Sequence, residues 1–328
     1  MRISVVIATY NRADLLAECL EHLSRQPFAP DDEVIVVDNG STDRTPQVIV
    51  QAQQSFPVYL RHLVERTPGK SHAIAAALAF AQGDVLAFTD DDVDVDPDWI
   101  EEIRRAMSDH GVALAGGPVA PRWETKPPPW LKPAAEDYGR LAAPLGLLNY
   151  GSESFPLGPR TALGGNLIVR ADVFQKLGGY AAHLGKLRGT LLSGEDHELC
   201  MRVQNAGFRA VYWPELRVTH WVPAERMRAR YAMSWFYWSG ITHATLDAGG
   251  GLQHAIFGVP RHFVRRMLTA GARSVGAALA GRSSRMMDNA IDVAFVAGYA
   301  AHRWNIHETH VFSASSASSA VASSRKAV

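Results

Sequence analysis

Short apolar runs alternate with amphipathic stretches along the first 120 residues. Ile3-Ser4-Val5-Val6-Ile7-Ala8 is nearly all apolar, the pattern of a strand buried on both faces. After it, Leu15, Leu16, Cys19, Leu20 and Leu23 recur at helical spacing, with Asn11 placed as N-cap and Asp14 in the first turn. The same alternation continues downstream. Strands are predicted over 33–37, 58–63, 85–89 and 112–115, and helices over 45–54, 71–81 and 99–107. Asp43 suits a cap for the second helix, and Pro97 suits entry into the fourth. Strand and helix taking turns in this way predicts an α/β fold with a mainly parallel sheet.

From 118 to 159 the periodicity dissolves. Pro127-Pro128-Pro129 forbids regular structure, while Trp123, Trp130, Tyr138, Tyr150 and Phe155 give the stretch apolar mass, so an ordered loop is expected. Trp123 and Trp130 suit the loop's own core better than a ligand-stacking platform. Regularity returns over 166–169, 171–177 and 195–205, with Gly207 just past the last helix. Short strands over 210–213 and 216–219 lead to His220. Beyond Pro223 the chain turns helical: 226–248 is rich in aromatics, 261–279 is amphipathic, and 289–300 suits a third helix. In the second, Val264, Met267, Leu268, Val275 and Leu279 share one face and Arg265, Arg266 and Arg273 lie opposite. The Ser/Ala tail is of low complexity. The expected organisation is an α/β domain over 1–222, a helical extension over 223–311 and a disordered tail over 312–328.

Composition narrows the class. The 328 residues are 47% hydrophobic and 20% charged, ordinary for a folded globular chain. Zero formal net charge argues against a nucleic-acid partner. Two cysteines, Cys19 and Cys200, suggest a reducing compartment rather than a disulfide framework. No basic-then-apolar leader opens the chain, and the longest apolar stretch, 290–301, is too short to span a bilayer and holds Asp292. A cytoplasmic protein is expected. The extension carries Arg226, Arg228, Arg230, Arg261, Arg265, Arg266, Arg273, Arg282 and Arg285 with few acids between. That pattern suits peripheral contact with an anionic membrane or a merely solvated face.

The candidate chemistry lies at strand ends. Leu86-Ala87-Phe88-Thr89 runs straight into Asp90-Asp91-Asp92. Three carboxylates at the mouth of a buried strand repel one another unless a cation sits among them. Hard divalent ions take carboxylates together with substrate phosphates. Thr9-Tyr10-Asn11-Arg12 ends the first strand and Asp38 the second, so the three tips meet in one crevice if the sheet is wound as the alternation implies. Lys70, behind Pro68-Gly69 and opening a helix, suits phosphate. Gly69-Lys70-Ser71 matches only the end of a phosphate-binding loop motif, because Val64 stands where its first glycine belongs. Glu195-Asp196 follows Gly194 at a helix start, where an acidic pair suits either catalysis or the helix dipole.

Taken together, residues 5–12, 36–43 and the Asp90–Asp92 run resemble the family-2 glycosyltransferases of GT-A fold, over roughly residues 1–223. The resemblance implies a Rossmann-like, mainly parallel mixed sheet flanked by helices, and an enzyme moving a hexosyl group from a nucleotide-sugar, UDP-linked by preference. In that family the acid after the second strand binds the nucleobase, which maps to Asp38. The strand-four acids map to Asp90, Asp91 and Asp92, with Asp91 near ribose or metal. Asp92, with His220, would hold Mn²⁺ or Mg²⁺. Thr9, Tyr10, Arg12 and Lys70 complete the nucleotide side. Gly165, Asn166 and Glu195 map to the donor-sugar pocket. Asp196 maps to the general base of an inverting transfer to a saccharide or lipid-linked hydroxyl. A sugar-phosphate nucleotidyltransferase is the alternative, disfavoured because the loop after the first strand has no glycine. A non-catalytic carbohydrate-binding protein is the other, and it would not need all these acids.

Overall fold

The computed structural model describes residues 1–131, 139–180, 191, 194–247, 255–281 and 283–306. The expected Ser/Ala tail over 312–328 lies outside them, as do Tyr138 and Arg282. In the first half, β1 (Ile3–Thr9), α1 (Ala13–Ser24), β2 (Glu33–Asp38), α2 (Thr45–Gln53), β3 (Tyr59–Val64), α3 (Lys70–Leu78) and β4 (Val85–Asp90) alternate as the apolar pattern dictates. A short β5 (Val93–Val95), α4 (Trp99–Ala106), β6 (Val112–Gly116), β7 (Val119–Trp123), α5 (Ala142–Leu145) and β8 (Phe155–Pro156) follow. Then come β9 (Asn166–Arg170), α6 (Ala171–Lys176), α7 (Glu195–Asn205), β10 (Arg209–Tyr212) and β11 (Val218–Val222). The C-terminal part comprises α8 (Ala229–Leu246), a hairpin of β12 (Ala255–Ile256) and β13 (Val259–Pro260), α9 (Arg261–Leu279) and α10 (Ser283–Arg303).

The main sheet has the order β3-β2-β1-β4-β9-β6-β10-β8. β1 pairs in parallel with β2 on one side and β4 on the other. Chain order therefore reverses at β1, and a crevice opens beyond its carboxyl end. The register sets Thr9 opposite Asp38 and Ala8 opposite Asp90, which brings three polar strand tips level. β9 runs antiparallel to both β4 and β6, which makes the sheet mixed, as the resemblance implies. A second sheet, β5-β11-β7, sits below the acidic tip and carries His220 opposite Val93.

Two expectations change. Asn11 does not cap α1. Its backbone has φ 51°, and its Oδ1 accepts from the Thr42 N–H at 2.7 Å, so it ties the β1 loop to the β2 loop. Asp43 serves both helices, accepting from the Thr45 N–H at 3.0 Å and the Ala13 N–H at 3.2 Å. The stretch 118–159 is also less irregular than its prolines suggest. β7 pairs with β11 at an edge of the small sheet, where Pro121 costs no ladder bond on the open side. Trp123 and Trp130 are half-buried and pack on an apolar cluster, as expected.

That cluster is distinct from the α/β core. It joins Leu131, Leu141, Leu145 and Leu147 to Met227, Phe236, Ile291, Phe295 and Tyr299 of the helical part. α8 and α10 touch backbone to backbone. A Cβ on Gly240 would lie 2.0 Å from the Phe295 carbonyl oxygen, and one on Gly298 would lie 1.8 Å from that of Tyr237. Gly298→Ala must therefore push the helices apart. The expected loss is about 1–3 kcal/mol, read as a lowered denaturant midpoint, with a matched Gly276→Ala control neutral or stabilising by up to about 1 kcal/mol because it lies within a helix and nothing faces that site.

Candidate active site

Beyond the β1 and β4 tips lies a cleft of about 670 Å³. Thr9, Tyr10, Arg12, Lys70, Asp90, Asp91, Asp92, Gly165, Glu195, Asp196 and His220 all line it. The fold thus brings together most of the residues singled out by the sequence, from six separate segments.

The strand-four acids are held by cations from other elements. The Thr9 hydroxyl donates to Asp91 Oδ2 at 2.8 Å. Arg12 Nη1 donates to Asp91 Oδ1 at 2.9 Å and to Asp92 Oδ2 at 2.6 Å. Lys70, the first residue of α3, pairs with Asp90. Burial pushes the Asp91 carboxyl up to about 6 against the pull of Arg12. Burial also disfavours a charged Asp92, but His220, Arg12 and Arg226 outweigh it and hold that carboxyl well below the usual range. Two adjacent carboxylates with divergent proton affinities are what like charges in one dry site produce. Burial likewise works against the Lys70 ammonium, yet Asp90, Asp196 and Glu195 keep its proton affinity raised.

Asp196 enters from the other wall. It lies in the first turn of α7, and its Oδ2 accepts from the Gly164 N–H at 2.7 Å. A side chain at Gly164 would collide with it, with Cβ only 2.6 Å from Oδ1. Gly194, at φ 151°, allows α7 to begin against α8, where its missing Cβ would stand 2.9 Å from Thr242 Cγ2. Burial, then the negative charge of Glu195, pushes the Asp196 carboxyl up to about 7, with Lys70 opposing. Glu195 itself accepts from the Gly194 N–H at 2.9 Å.

Two expected pocket residues stand behind the wall instead. Asp38 is 2% exposed and does not line the cleft. Its Oδ1 accepts from the Ser41 N–H at 2.7 Å, which closes the turn after β2, and its neighbour Asn39 lines the cleft. Asn166 is fully buried, accepting from Trp99 Nε1 at 3.0 Å and donating to the Leu216 carbonyl at 2.7 Å. Its Nδ2 also donates to the Pro118 carbonyl at 3.3 Å, and an amide engaged by three partners is held in place as a structural joint.

The sequence reading misses the third wall. Arg226, assigned there to the basic face, points into the cleft, 3.1 Å from His220 Nε2 and 3.9 Å from Asp92 Oδ2. α8 adds Tyr231, Trp235, Ser239, Thr242, His243 and Leu246. Only the aromatic density of 231–238 hinted at this, and aromatics at helical spacing read equally well as core.

Among the described residues, no three His, Cys, Asp or Glu side chains gather to hold an ion by themselves. Asp92 and His220 nevertheless form a buried pair 3.6 Å apart, and His220 Nδ1 is buried without a hydrogen-bond partner among the described residues. One carboxylate and one imidazole fit a divalent ion whose remaining positions go to phosphate oxygens and water.

Residues 4–177 match the family model "Glycosyl transferase family 2". The chain is 28% identical over 251 residues to the glucosyl-dolichyl phosphate glucuronosyltransferase of Haloferax volcanii, covering 75% of this chain and 78% of that protein. It is 24% identical over 302 residues to the O-antigen chain rhamnosyltransferase RfbN of Salmonella typhimurium, covering 84% and 88% respectively. In fold it is similar to the mannosyltransferase PcManGT from Pyrobaculum calidifontis, solved in complex with GDP-Man and Mn²⁺. That likeness has a TM-score of 0.62 at 18% identity and covers 93% of this chain and 88% of the other. The matched region runs from β1 to the end of α6 and includes the acidic tip that the cleft is built around, so the chain belongs to glycosyl transferase family 2 and is a glycosyltransferase.

Proposed function

We propose that the chain transfers a sugar from a nucleoside-diphosphate donor to a hydroxyl acceptor with inversion, with Asp196 as base and a divalent ion at Asp92 and His220. The observation that carries this reading is that one cleft holds both a cation-held acidic cluster at the β4 tip and, from the first turn of α7, the Asp196 carboxyl pushed up to about 7. Inversion needs those two functions on opposite faces of the anomeric carbon.

A donor diphosphate entering at the β1 and β4 tips meets Lys70 at the start of α3, together with Arg12 and Arg226. These guanidinium and ammonium groups can turn from carboxylate to phosphate oxygens, and the divalent ion would then offset the charge of the carboxylates they release. The ion, when bound, neutralises charge on the departing diphosphate. Gly165 leaves room beside Asp90 for the donor sugar, since a Cβ there would come within 3.3 Å of Asp90 Oδ2. Asp196 accepts the acceptor hydroxyl proton as that oxygen attacks. A base near neutrality in its proton affinity can take that proton while a substantial fraction of it is already ionised at neutral pH. Manganese or magnesium both satisfy the oxygen and nitrogen donors present, and a UDP-linked donor and a saccharide acceptor complete the reading.

Three measurements test it. Asp196→Asn should cut turnover by roughly 10²–10⁴-fold while leaving calorimetric UDP affinity within about two-fold; near-normal turnover would remove the base. In the wild type, turnover should rise with pH through a single ionisation near 7, since Asp196 must lose its proton to act, and that acidic limb should vanish in the Asn variant. Asp92→Ala should lower UDP affinity at least about ten-fold in the presence of Mn²⁺ and have little effect in its absence, because losing a ligand costs no less than losing its outer support. An affinity that Mn²⁺ raises equally in wild type and variant would place the ion elsewhere.

A further inference from the structure

α9 does not use its apolar residues as its helical pattern suggests. Val264 and Met267 pack on the helical cluster, and Ala270 and Ala277 are buried. Leu268, Val275 and Leu279 instead stand 65%, 63% and 86% exposed. With Arg261, Arg265 and Ala272 they follow a three-and-four spacing, so they form one outward stripe along the helix. Exposed Arg273 flanks it. α9 contains no Asp or Glu, and Arg261, Arg265 and Arg273 make no ion pair among the described residues.

The stripe begins at the β12–β13 hairpin, whose turn is Phe257-Gly258. Phe257 has φ 49° and Gly258 φ 78°. A turn with both central residues left-handed favours Asn and Gly, and an aromatic residue there is strained. This strained Phe257 is 85% exposed, so little packing among the described residues compensates it. Trp304, also exposed, stands beside it, with Nε1 donating to the Phe257 carbonyl at 2.7 Å. The same end of the helical unit closes the cleft. Leu246 lines the cleft, and its neighbour Asp247 accepts from the Tyr299 hydroxyl at 3.1 Å.

The geometry points to a bilayer surface rich in anionic headgroups as the occupant of this face, with Phe257 and the α9 stripe inserted and the arginines on phosphate. Apolar and aromatic side chains interleaved with guanidinium groups suit that interface. A second copy suits it less, because it would set arginines against arginines with no carboxylate on either α9. No described helix is long and apolar enough to cross a membrane, so the contact is lateral. Docked this way, the cleft opens next to the headgroups, and the acceptor is lipid-linked. This deepens the transferase reading and rests on it only for the acceptor.

Flotation of the full chain with vesicles tests it. Partition onto phosphatidylcholine vesicles containing phosphatidylglycerol should exceed that onto phosphatidylcholine alone by at least about ten-fold, and should fall as salt rises. Arg261→Gln/Arg265→Gln/Arg273→Gln should abolish that preference. Phe257→Asn is the sharper variant. Asparagine tolerates the left-handed turn, so thermal stability should hold or rise while vesicle partition drops several-fold. Metal-dependent hydrolysis of soluble nucleotide-sugars should stay unchanged in all of these variants. If the wild type lacks that hydrolysis, the transferase reading fails, not the docking. Absent or charge-independent partition would overturn the docking, and so would a dimer in sedimentation velocity that Leu268→Ser splits.

Discussion

The organising constraint of this protein is the charge balance inside one cleft. Asp90, Asp91, Asp92, Glu195 and Asp196 crowd a space they could not share if all were ionised and unpaired. Lys70, Arg12 and Arg226 offset them from three different elements: the start of α3, the end of the β1 loop and the segment that enters α8. The carboxylates respond unequally. Asp92, touching both guanidinium groups, stays charged, whereas Asp91 and Asp196 retain protons more readily.

This constraint explains the architecture around it. The chain reversal at β1 opens the crevice, but the sheet alone would leave its acids facing water. The small sheet brings His220 up beneath Asp92. The helical unit closes the far side with α8, and α8 in turn is seated by the glycine contact with α10. Burial of the acids, and with it their altered proton affinities, therefore depends on residues far along the chain. Gly194 and Gly164 serve the same end: the first lets α7 start against α8, and the second clears the space that Asp196 fills.

Much of the helical unit's surface is accounted for by this seating role, with one exception. The inner face of α9 contributes to the cluster shared with α8 and α10, while its outer face keeps leucine, valine and arginine in water.

Apolar run length and helical spacing sufficed for the strands and helices of the first half, because β1, β2 and β4 are buried on both faces and admit little else. The acidic tip, Lys70, Glu195-Asp196 and His220 were legible because charge at the end of a buried strand or helix has few structural uses. Placement was least legible where one residue type has two uses. Asp38 and Asn166 are polar residues at strand ends like the others, but Ser41, Trp99 and Leu216 claim their hydrogen bonds. Arg226 looked like one of many surface arginines until the entry into α8 turned it inward. Local sequence determined which segments are strands and where acids collect. Which polar atoms face the cleft, and which arginine neutralises them, was decided only by tertiary packing, since hydrogen-bond partners distant in sequence compete for the same side chains.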